Sequence, residues 1–273
     1  MTHGHRLTQA HPDTAWPLCP RCSGVALDLG SARIRALPAG GGRVLDVPTV
    51  TSEGPGTGRP LRRGTFGDTA GTARLLERLL SRRLPRSGRP LVILTAPVLG
   101  GVSYRADARA AVEVLRPRTV LTVPTARAVA LTAGADLSRP VLVVDIGAVV
   151  TEVVLLADGA VLDARRTALG TSDLDGAPGA TELIDAVVAM VTRMREEDTT
   201  SYAADALRRG VLVAGGGALV PGLTHRLAGR LGARATTVPA PHTAAVRGAA
   251  TLLRAAGNHP SVRATAPPSV PPC

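Results

Sequence analysis

The sequence predicts an α/β protein built from two related halves, because one pattern occurs twice. Segments 25–37 (VALDLGSARIRAL) and 141–156 (VLVVDIGAVVTEVVLL) each contain an apolar run, Asp-x-Gly, a short turn and a second apolar run. Two such runs around a short turn indicate a β-hairpin. Alternating strand and helix patterns elsewhere in the chain are typical of layered α/β folds. We therefore expect two halves, each beginning with a hairpin that has an aspartate and a glycine at its bend.

A third segment points to a ligand. Segment 211–223 (VLVAGGGALVPGL) combines a strand, three glycines and a helix expected to begin near Val220. Glycines between a strand and a helix let a flat ring or a phosphate approach the backbone. The two hairpin aspartates repel a bare phosphate and so suggest an intervening Mg²⁺ with its waters. Together the three segments predict a nucleotide held between the two halves.

Composition excludes several classes of function. The chain of 273 residues carries a net charge of +11, yet aromatic residues make up only 1% and no nucleic-acid-binding motif is present. Base stacking therefore has almost no side chains to use, and no nucleic-acid partner is expected.

Because no apolar stretch is long enough to span a membrane and three cysteines make no disulfide framework, we expect a cytoplasmic protein. Cys19 and Cys22 supply two ligands where structural zinc takes four, so they are interpreted as incidental, with zinc and redox roles left open.

The three segments, in this order, resemble the actin-like ATPase superfamily, which includes actin, the 70-kDa heat-shock proteins, sugar kinases and MreB. In that family they would be the first phosphate, second phosphate and adenosine motifs. Shorter similarities to the MreB/Mbl rod shape-determining branch lie at 59–68, 95–115, 123–137, 168–177 and 240–253. The resemblance implies two RNase-H-like lobes that face a central nucleotide cleft.

The resemblance also implies a domain organisation without either outer subdomain of MreB, since the two connections that would hold them are short. Residues 43–60 are interpreted as a loop, rich in Gly and Pro. The expected parts are a flexible arm (1–21), a first lobe (22–139, with 240–256 returning to it), a second lobe (140–239) and a disordered Pro-rich tail (257–273).

ATP or ADP with Mg²⁺ is the cofactor that the resemblance implies, with weak or absent binding left open. Asp28 and Asp145 would hold the metal through water. Arg33 either pairs with a phosphate or points to solvent. The expected nucleotide contacts are Asp28, Gly30, Ser31, Ala32, Asp145, Gly147, Thr151, Gly215, Gly216 and Gly217.

The sequence departs from the family where hydrolysis would occur. Relatives read Asp-x-Gly-Gly-Gly-Thr-Thr, whereas Ala148, Val149 and Val150 follow Gly147 here. Such side chains disfavour positive φ and add a Cβ facing the phosphate. Val123 occupies the place of the glutamate that orients water, a loss worth about two to four orders of magnitude in rate. We therefore expect no catalytic residue.

The expected function is that of a minimal MreB-like cytoskeletal or scaffold protein linked to cell shape or cell-wall synthesis. Its partners would be full-length MreB-like filaments or cell-wall synthesis proteins. A slow ATPase or sugar-kinase-like phosphotransferase, and an interaction module that binds no nucleotide, are the alternatives.

Overall fold

The computed structural model describes residues 24–50, 61–62, 65–84, 89–174 and 179–258. The predicted arm, the Cys19–Cys22 pair and all but the first two residues of the predicted tail lie outside the described residues. Those two residues end the last helix.

The first half forms a five-stranded sheet in the order β3-β2-β1-β6-β7. Its first two strands are the predicted hairpin, and β1, β6 and β7 run parallel to one another. The elements are β1 (Gly24–Leu29), β2 (Arg33–Pro38), β3 (Leu45–Pro48), β4 (Leu61–Arg62), β5 (Thr65–Phe66), α1 (Thr69–Leu80), β6 (Leu91–Ala96), α2 (Gly101–Val112), β7 (Thr119–Pro124) and α3 (Thr125–Thr132).

The second half repeats this topology with the strand order β10-β9-β8-β11-β12. The antiparallel hairpin β8–β9 opens it, and β8, β11 and β12 are parallel. The predicted two-lobed α/β architecture is therefore confirmed. The elements are β8 (Val141–Ile146), β9 (Thr151–Ala157), β10 (Ala160–Thr167), α4 (Gly179–Glu197), α5 (Tyr202–Arg209), β11 (Val211–Ala214), α6 (Leu223–Leu231), β12 (Ala235–Thr237) and α7 (Ala244–Asn258).

The interpretation of residues 43–60 as a loop is wrong at Leu45–Pro48, which forms the edge strand β3 beside β2. Leu45 and Val47 pack against the first core, while Asp46 between them pairs with Arg33. This alternation stabilises a strand, but it is too short to stand out among the surrounding glycines and prolines.

The glycine-rich segment also differs from its prediction. A 3-10 turn occupies Gly216–Leu219, and helix α6 begins at Leu223 rather than near Val220. Strand β12 and helix α5 were not predicted. Because the buried residues of α5 are Ala203 and Ala206, the sequence shows no strong apolar stripe there.

Helices α3 and α7 join the two halves, because each helix packs against the sheet of the other half. Helix α3 follows the first sheet yet packs on the second, with Val129 against Val143 and Val154 in one core cluster. Helix α7 follows the second sheet and packs on the first through Leu253 and its apolar neighbours. The two helices approach so closely that a Cβ at Gly248 would overlap the carbonyl oxygen of Ala128. This crossing fixes how the two sheets meet.

The connection where the second outer subdomain would lie contains a 3-10 turn, α4 and α5, with no strand among its described residues. The corresponding connection in the first half falls largely outside the described residues. The absence of both outer subdomains, and the exact lobe boundaries, remain predictions.

Candidate functional site

A cavity of about 320 Å³ lies between the two halves. Both hairpin turns, the first part of the glycine run and the turn before α7 line it, so Asp28 and Asp145 face one space as predicted. Its volume is at the lower end of the range of about 300–1,000 Å³ for small-molecule sites. The fold thus brings the three motifs of the sequence to one cavity.

The two hairpin turns have the same geometry. The amide of Gly30 donates to the carbonyl of Arg33 at 3.0 Å, and that of Gly147 donates to Val150 at 2.9 Å. A Cβ would stand 2.9 Å from the Arg33 oxygen in the first turn and 2.8 Å from the Val150 oxygen in the second. Each glycine is therefore required by a tight turn.

The preference of Ala148 and Val149 against positive φ does not disturb the second turn, because neither residue has a positive φ. The second turn is instead held by backbone hydrogen bonds from a neighbouring segment. Thr171 and Ser172 donate their amides to the carbonyls of Gly147 and Ala148, at 2.9 and 2.7 Å. Within the described residues, no acceptor pairs with the amides of Ala148 and Val149. A turn that is held in this way, with two amides that lack an acceptor among the described residues, is suited to bind an anion.

The carboxylate of Asp28 already has a cationic partner. Arg35 lies opposite it in the β1–β2 register, and its Nη1 is 3.5 Å from Asp28 Oδ2. Thr95 Oγ1 donates to the other carboxylate oxygen at 2.9 Å. Any Mg²⁺ near Asp28 therefore meets a carboxylate whose charge Arg35 partly neutralises.

Arg33 lines the cavity, but its guanidinium already forms an ion pair within the protein. Its Nε contacts Asp46 Oδ1 at 2.5 Å on the neighbouring strand β3. The two roles left open from the sequence, phosphate contact and solvent exposure, did not include this ion pair, because Asp46 was assigned to a loop.

Asp145 holds its proton more tightly than an ordinary carboxyl. Burial and the nearby charges of Asp28 and Glu152 raise the pKa of Asp145 to about 7, while Arg35 opposes the rise. At neutral pH about half of these carboxyls are protonated. A cation placed between Asp28 and Asp145 would relieve the repulsion, which is consistent with a divalent metal held by both.

We expect Asp145→Asn to stabilise the protein at high pH. Since the folded-state pKa of about 7 lies above the ordinary value of 3.8, the cost of ionising Asp145 is absent below about pH 4 and complete above about pH 7. Thermal unfolding should show a melting temperature raised by about 4 °C at pH 8 and by less at pH 5. Asp158→Asn, in an exposed turn, is the control and should show no such trend. A gain that is equal at both pH values would contradict the shift.

Glu152 connects the two halves beside the cavity. This side chain of β9 is only 6% exposed and accepts the amides of Val98 at 3.0 Å and Leu99 at 2.9 Å, just before α2. Arg166 Nη1 donates to the carbonyl of Leu99 at 3.2 Å. Burial raises the pKa of Glu152, and the two amides oppose that rise. We call these four residues the latch.

The three glycines of the adenosine motif have different surroundings. Gly215 has a φ of +81°, and a Cβ there would overlap the Ile146 carbonyl. At Gly217 it would overlap the Ile146 side chain, and this glycine does not line the cavity. At Gly216 nothing lies within 4 Å of the same position, which borders the cavity. Gly215 and Gly217 serve packing, and Gly216 faces the space available to a ligand.

Thr151, Val123 and Val150 have different places relative to the cavity. The predicted contact Thr151 is fully buried, and its hydroxyl donates to Leu169 at 2.9 Å, so it does not reach the cavity. Val123, the place expected for glutamate, packs with the α7 cluster and also does not line the cavity. Val150 does line it. The cavity therefore has an apolar side chain where relatives have a threonine.

His242 lines the cavity together with Gly215 and Gly216. Its Nδ1 is buried and has no hydrogen-bond partner among the described residues. The sequence offered no signal for this placement, because the similarity at 240–253 assigns no role to His242.

Neither a metal cluster nor a membrane helix is visible in the part of the chain that the structure describes. No group of three or more His, Cys, Asp or Glu side chains is placed to hold a metal ion there. No helix among those residues is both long and apolar enough to cross a membrane.

Comparison with known proteins agrees with the motifs. The MreB/Mbl protein family matches residues 178–260. MreB5 of Spiroplasma citri bound to ADP has a TM-score of 0.75 at 17% identity, over 88% of this chain and 100% of that chain. The MamK double helical filament gives 0.74 at 16% identity, over 88% and 100%. The ethanolamine utilization protein EutJ from Carboxydothermus hydrogenoformans gives 0.62 at 17%, over 85% and 90%.

None of the curated proteins matches the sequence. At 16–17% identity the solved structures establish the fold, and the similarity to the MreB/Mbl family lies within residues 178–260. The predicted resemblance is thus confirmed: the chain has the fold of the actin-like ATPases, and its similarity lies on the MreB-like branch.

Proposed function

We propose that this chain is a degenerate MreB-like nucleotide-binding scaffold of the cytoplasm, which binds ATP or ADP with Mg²⁺ between its lobes and turns ATP over slowly. The observation that carries the proposal is the convergence of two matching hairpin turns and the open face of Gly216 on one cavity. The crystallised MreB5 chains, which share the fold, are bound to ADP and AMPPNP.

The lining residues fit the two ends of a nucleotide. Ala148 and Val149 line the cavity, and their amides, which have no acceptor among the described residues, suit phosphate oxygens. Asp28 and Asp145 offer the carboxylate oxygens that Mg²⁺ prefers, directly or through water. When bound, the metal would neutralise phosphate charge. A base would lie against Gly216, where the backbone carries no side chain.

Slow turnover follows from the side chains near the phosphate turns. Among the described residues that line the cavity, the carboxylates are Asp28, Asp145 and Glu152. Arg35 pairs with Asp28, and two backbone amides occupy Glu152. Val150 can neither accept a proton nor orient water. Asp145 is the remaining candidate base, and holding a metal would occupy it as well.

A cavity-filling variant tests nucleotide binding. Gly216→Leu should weaken ADP binding in calorimetric titration by about tenfold or more, because Gly216 lines the cavity and no protein atom lies within 4 Å of the Cβ from which the new side chain extends. Gly229→Leu is the matched control, since its Cβ also meets nothing within 4 Å but lies away from the cavity, in α6. Equal ADP affinity in both variants and the native chain would contradict a nucleotide at Gly216.

The alternative of an interaction module without nucleotide has one observation in its favour. Arg35 neutralises Asp28 within the protein itself, so the fold does not need a metal there. In the same titration, this alternative predicts no heat of binding from Mg-ATP or Mg-ADP. The sugar-kinase alternative has no comparable support.

The proposed partners are full-length MreB-like filaments or cell-wall synthesis proteins. Stable interfaces bury about 1,200 Å² or more, and a chain without outer subdomains has less surface for stacking. We expect the purified protein not to pellet as filaments with ATP, and to co-pellet with a full-length MreB. Abundant filaments of the isolated chain would contradict the first expectation, and its failure to co-pellet would contradict the second.

A further inference from the structure

We propose that Arg166 binds the terminal phosphate of ATP and thereby makes the site prefer ATP to ADP. This inference rests on the proposed function and deepens it, because it names the part of the nucleotide that the site distinguishes. It arises from the position of Arg166 on strand β10, where the side chain lines the cavity between the two halves.

Arg166 belongs to a row of charged residues that crosses three neighbouring strands. Asp145 on β8 lies opposite Glu152 on β9, and Glu152 lies opposite Arg166 on β10. Residues that lie directly opposite one another project to the same face of a sheet. The next pair along these strands, Thr151 and Thr167, directly follows the second phosphate turn. The register therefore places Arg166 at the phosphate end of the cavity.

The guanidinium of Arg166 is available to a ligand. The other two arginines that line the cavity, Arg33 and Arg35, are each paired with an aspartate. Arg166 is exposed, and its Nη1 donates to the backbone carbonyl of Leu99, with no salt bridge to a carboxylate among the described residues. Because a guanidinium carries five N–H donors, Arg166 can keep this bond and bind a phosphate through the others.

The order of the strands separates the two ends of a bound nucleotide. Gly216 follows β11, which lies on one side of β8, whereas Arg166 lies two strands away from β8 on the other side. Neighbouring strands are about 4.8 Å apart, so β10 and β11 are separated by about 14 Å. A base at Gly216 leaves the phosphates to extend toward β10. The phosphate farthest from the base is therefore the one that Arg166 can contact.

The charges of this wall make the contact favourable. Asp28, Asp145 and Glu152 line the same cavity, so a polyphosphate meets three carboxyl groups there. A hydrogen bond between a guanidinium and a phosphate is charge-assisted and roughly twice as strong as one between neutral groups. ATP can form this bond with its third phosphate, whereas ADP is one phosphate shorter and does not extend as far.

The test makes the same substitution at two adjacent arginines. Arg166→Gln removes the charge at the cavity, and Arg166→Lys retains a charge there. Arg165→Gln is the matched control, because Arg165 does not line the cavity and pairs with Asp163 and Glu197. Calorimetric titrations at one Mg²⁺ concentration use ADP and AMPPNP, an ATP analogue that keeps three phosphates and resists hydrolysis. Melting temperatures confirm that the variants are folded.

We expect Arg166→Gln to weaken AMPPNP binding by about tenfold, the effect of one charge-assisted hydrogen bond, and ADP binding by less than about threefold. Arg166→Lys should lose less AMPPNP affinity than Arg166→Gln, and Arg165→Gln should bind both ligands as the native chain does. Native AMPPNP affinity in Arg166→Gln, or equal losses for the two ligands, would overturn the role of Arg166 while leaving the proposed function intact. A native chain that binds neither nucleotide would overturn the proposed function, and this assignment with it.

Discussion

Replacing Gly248 by alanine is expected to lower the free energy of unfolding by about 3 kcal/mol or more, although it adds a single methyl group. A Cβ at this position would overlap the backbone carbonyl of Ala128, so α3 and α7 must move apart. Since each helix packs on the sheet of the other half, that movement disturbs both cores. Denaturant unfolding measures the loss.

Thr251→Ala, on the exposed side of the same helix, is the control and should change stability by less than about 0.5 kcal/mol. A Gly248→Ala variant as stable as Thr251→Ala would show that the close crossing of α3 and α7 does not hold the halves together.

Removing the latch carboxylate by Glu152→Ala is expected to cost about 2–4 kcal/mol, because it leaves the amides of Val98 and Leu99 without their acceptor. The exchange rates of these two amide hydrogens test the contact directly. Both amides should be protected in the native chain and should exchange much faster in the variant. Glu152→Gln retains one acceptor oxygen and should show an intermediate effect.

Arg166→Ala is the comparison within the latch, since it removes a nearby charge and the hydrogen bond to the carbonyl of Leu99 but leaves Glu152 as the acceptor of both amides. It should leave both amides protected. Unchanged exchange of Val98 and Leu99 in Glu152→Ala would mean that other contacts hold the two halves closed.

The sequence was sufficient for the repeated architecture. Each hairpin is marked by apolar runs around an Asp-x-Gly bend, and Gly30 and Gly147 occupy the tight turns that this pattern predicts. Such signals are local, because they come from strand alternation and from the space that a glycine leaves. The motifs also predicted correctly that Asp28 and Asp145 share one cavity.

The parts of the site that were missed depend on contacts between distant segments. Glu152 belongs to an apolar strand pattern and acquires its role from a turn 53 residues away in the chain. Arg35 meets Asp28 only through the register of the first hairpin. His242 reaches the cavity because the turn before α7 is hydrogen-bonded to Gly215. No pattern of neighbouring residues carries that information.

The second phosphate turn also depends on contacts with a distant segment. Val149 was expected to disfavour the positive φ that glycine allows at this place, yet its φ is not positive. The turn keeps its shape because Gly170, Thr171 and Ser172 pack and donate hydrogen bonds behind it. What the substitutions change is the surface facing the phosphates, which is now apolar at Val150.

A single-turnover assay with labelled ATP and excess protein tests the central claim most directly, because it measures binding and hydrolysis on the same molecules. The cavity is lined by Ala148 and Val149, whose amides have no acceptor among the described residues, and by the apolar Val150, so we expect ATP to remain with the protein and to be converted only slowly. The expected rate is about two to four orders of magnitude below that of an intact relative measured in parallel. Rapid conversion to ADP, or no label bound to the protein, would contradict this account.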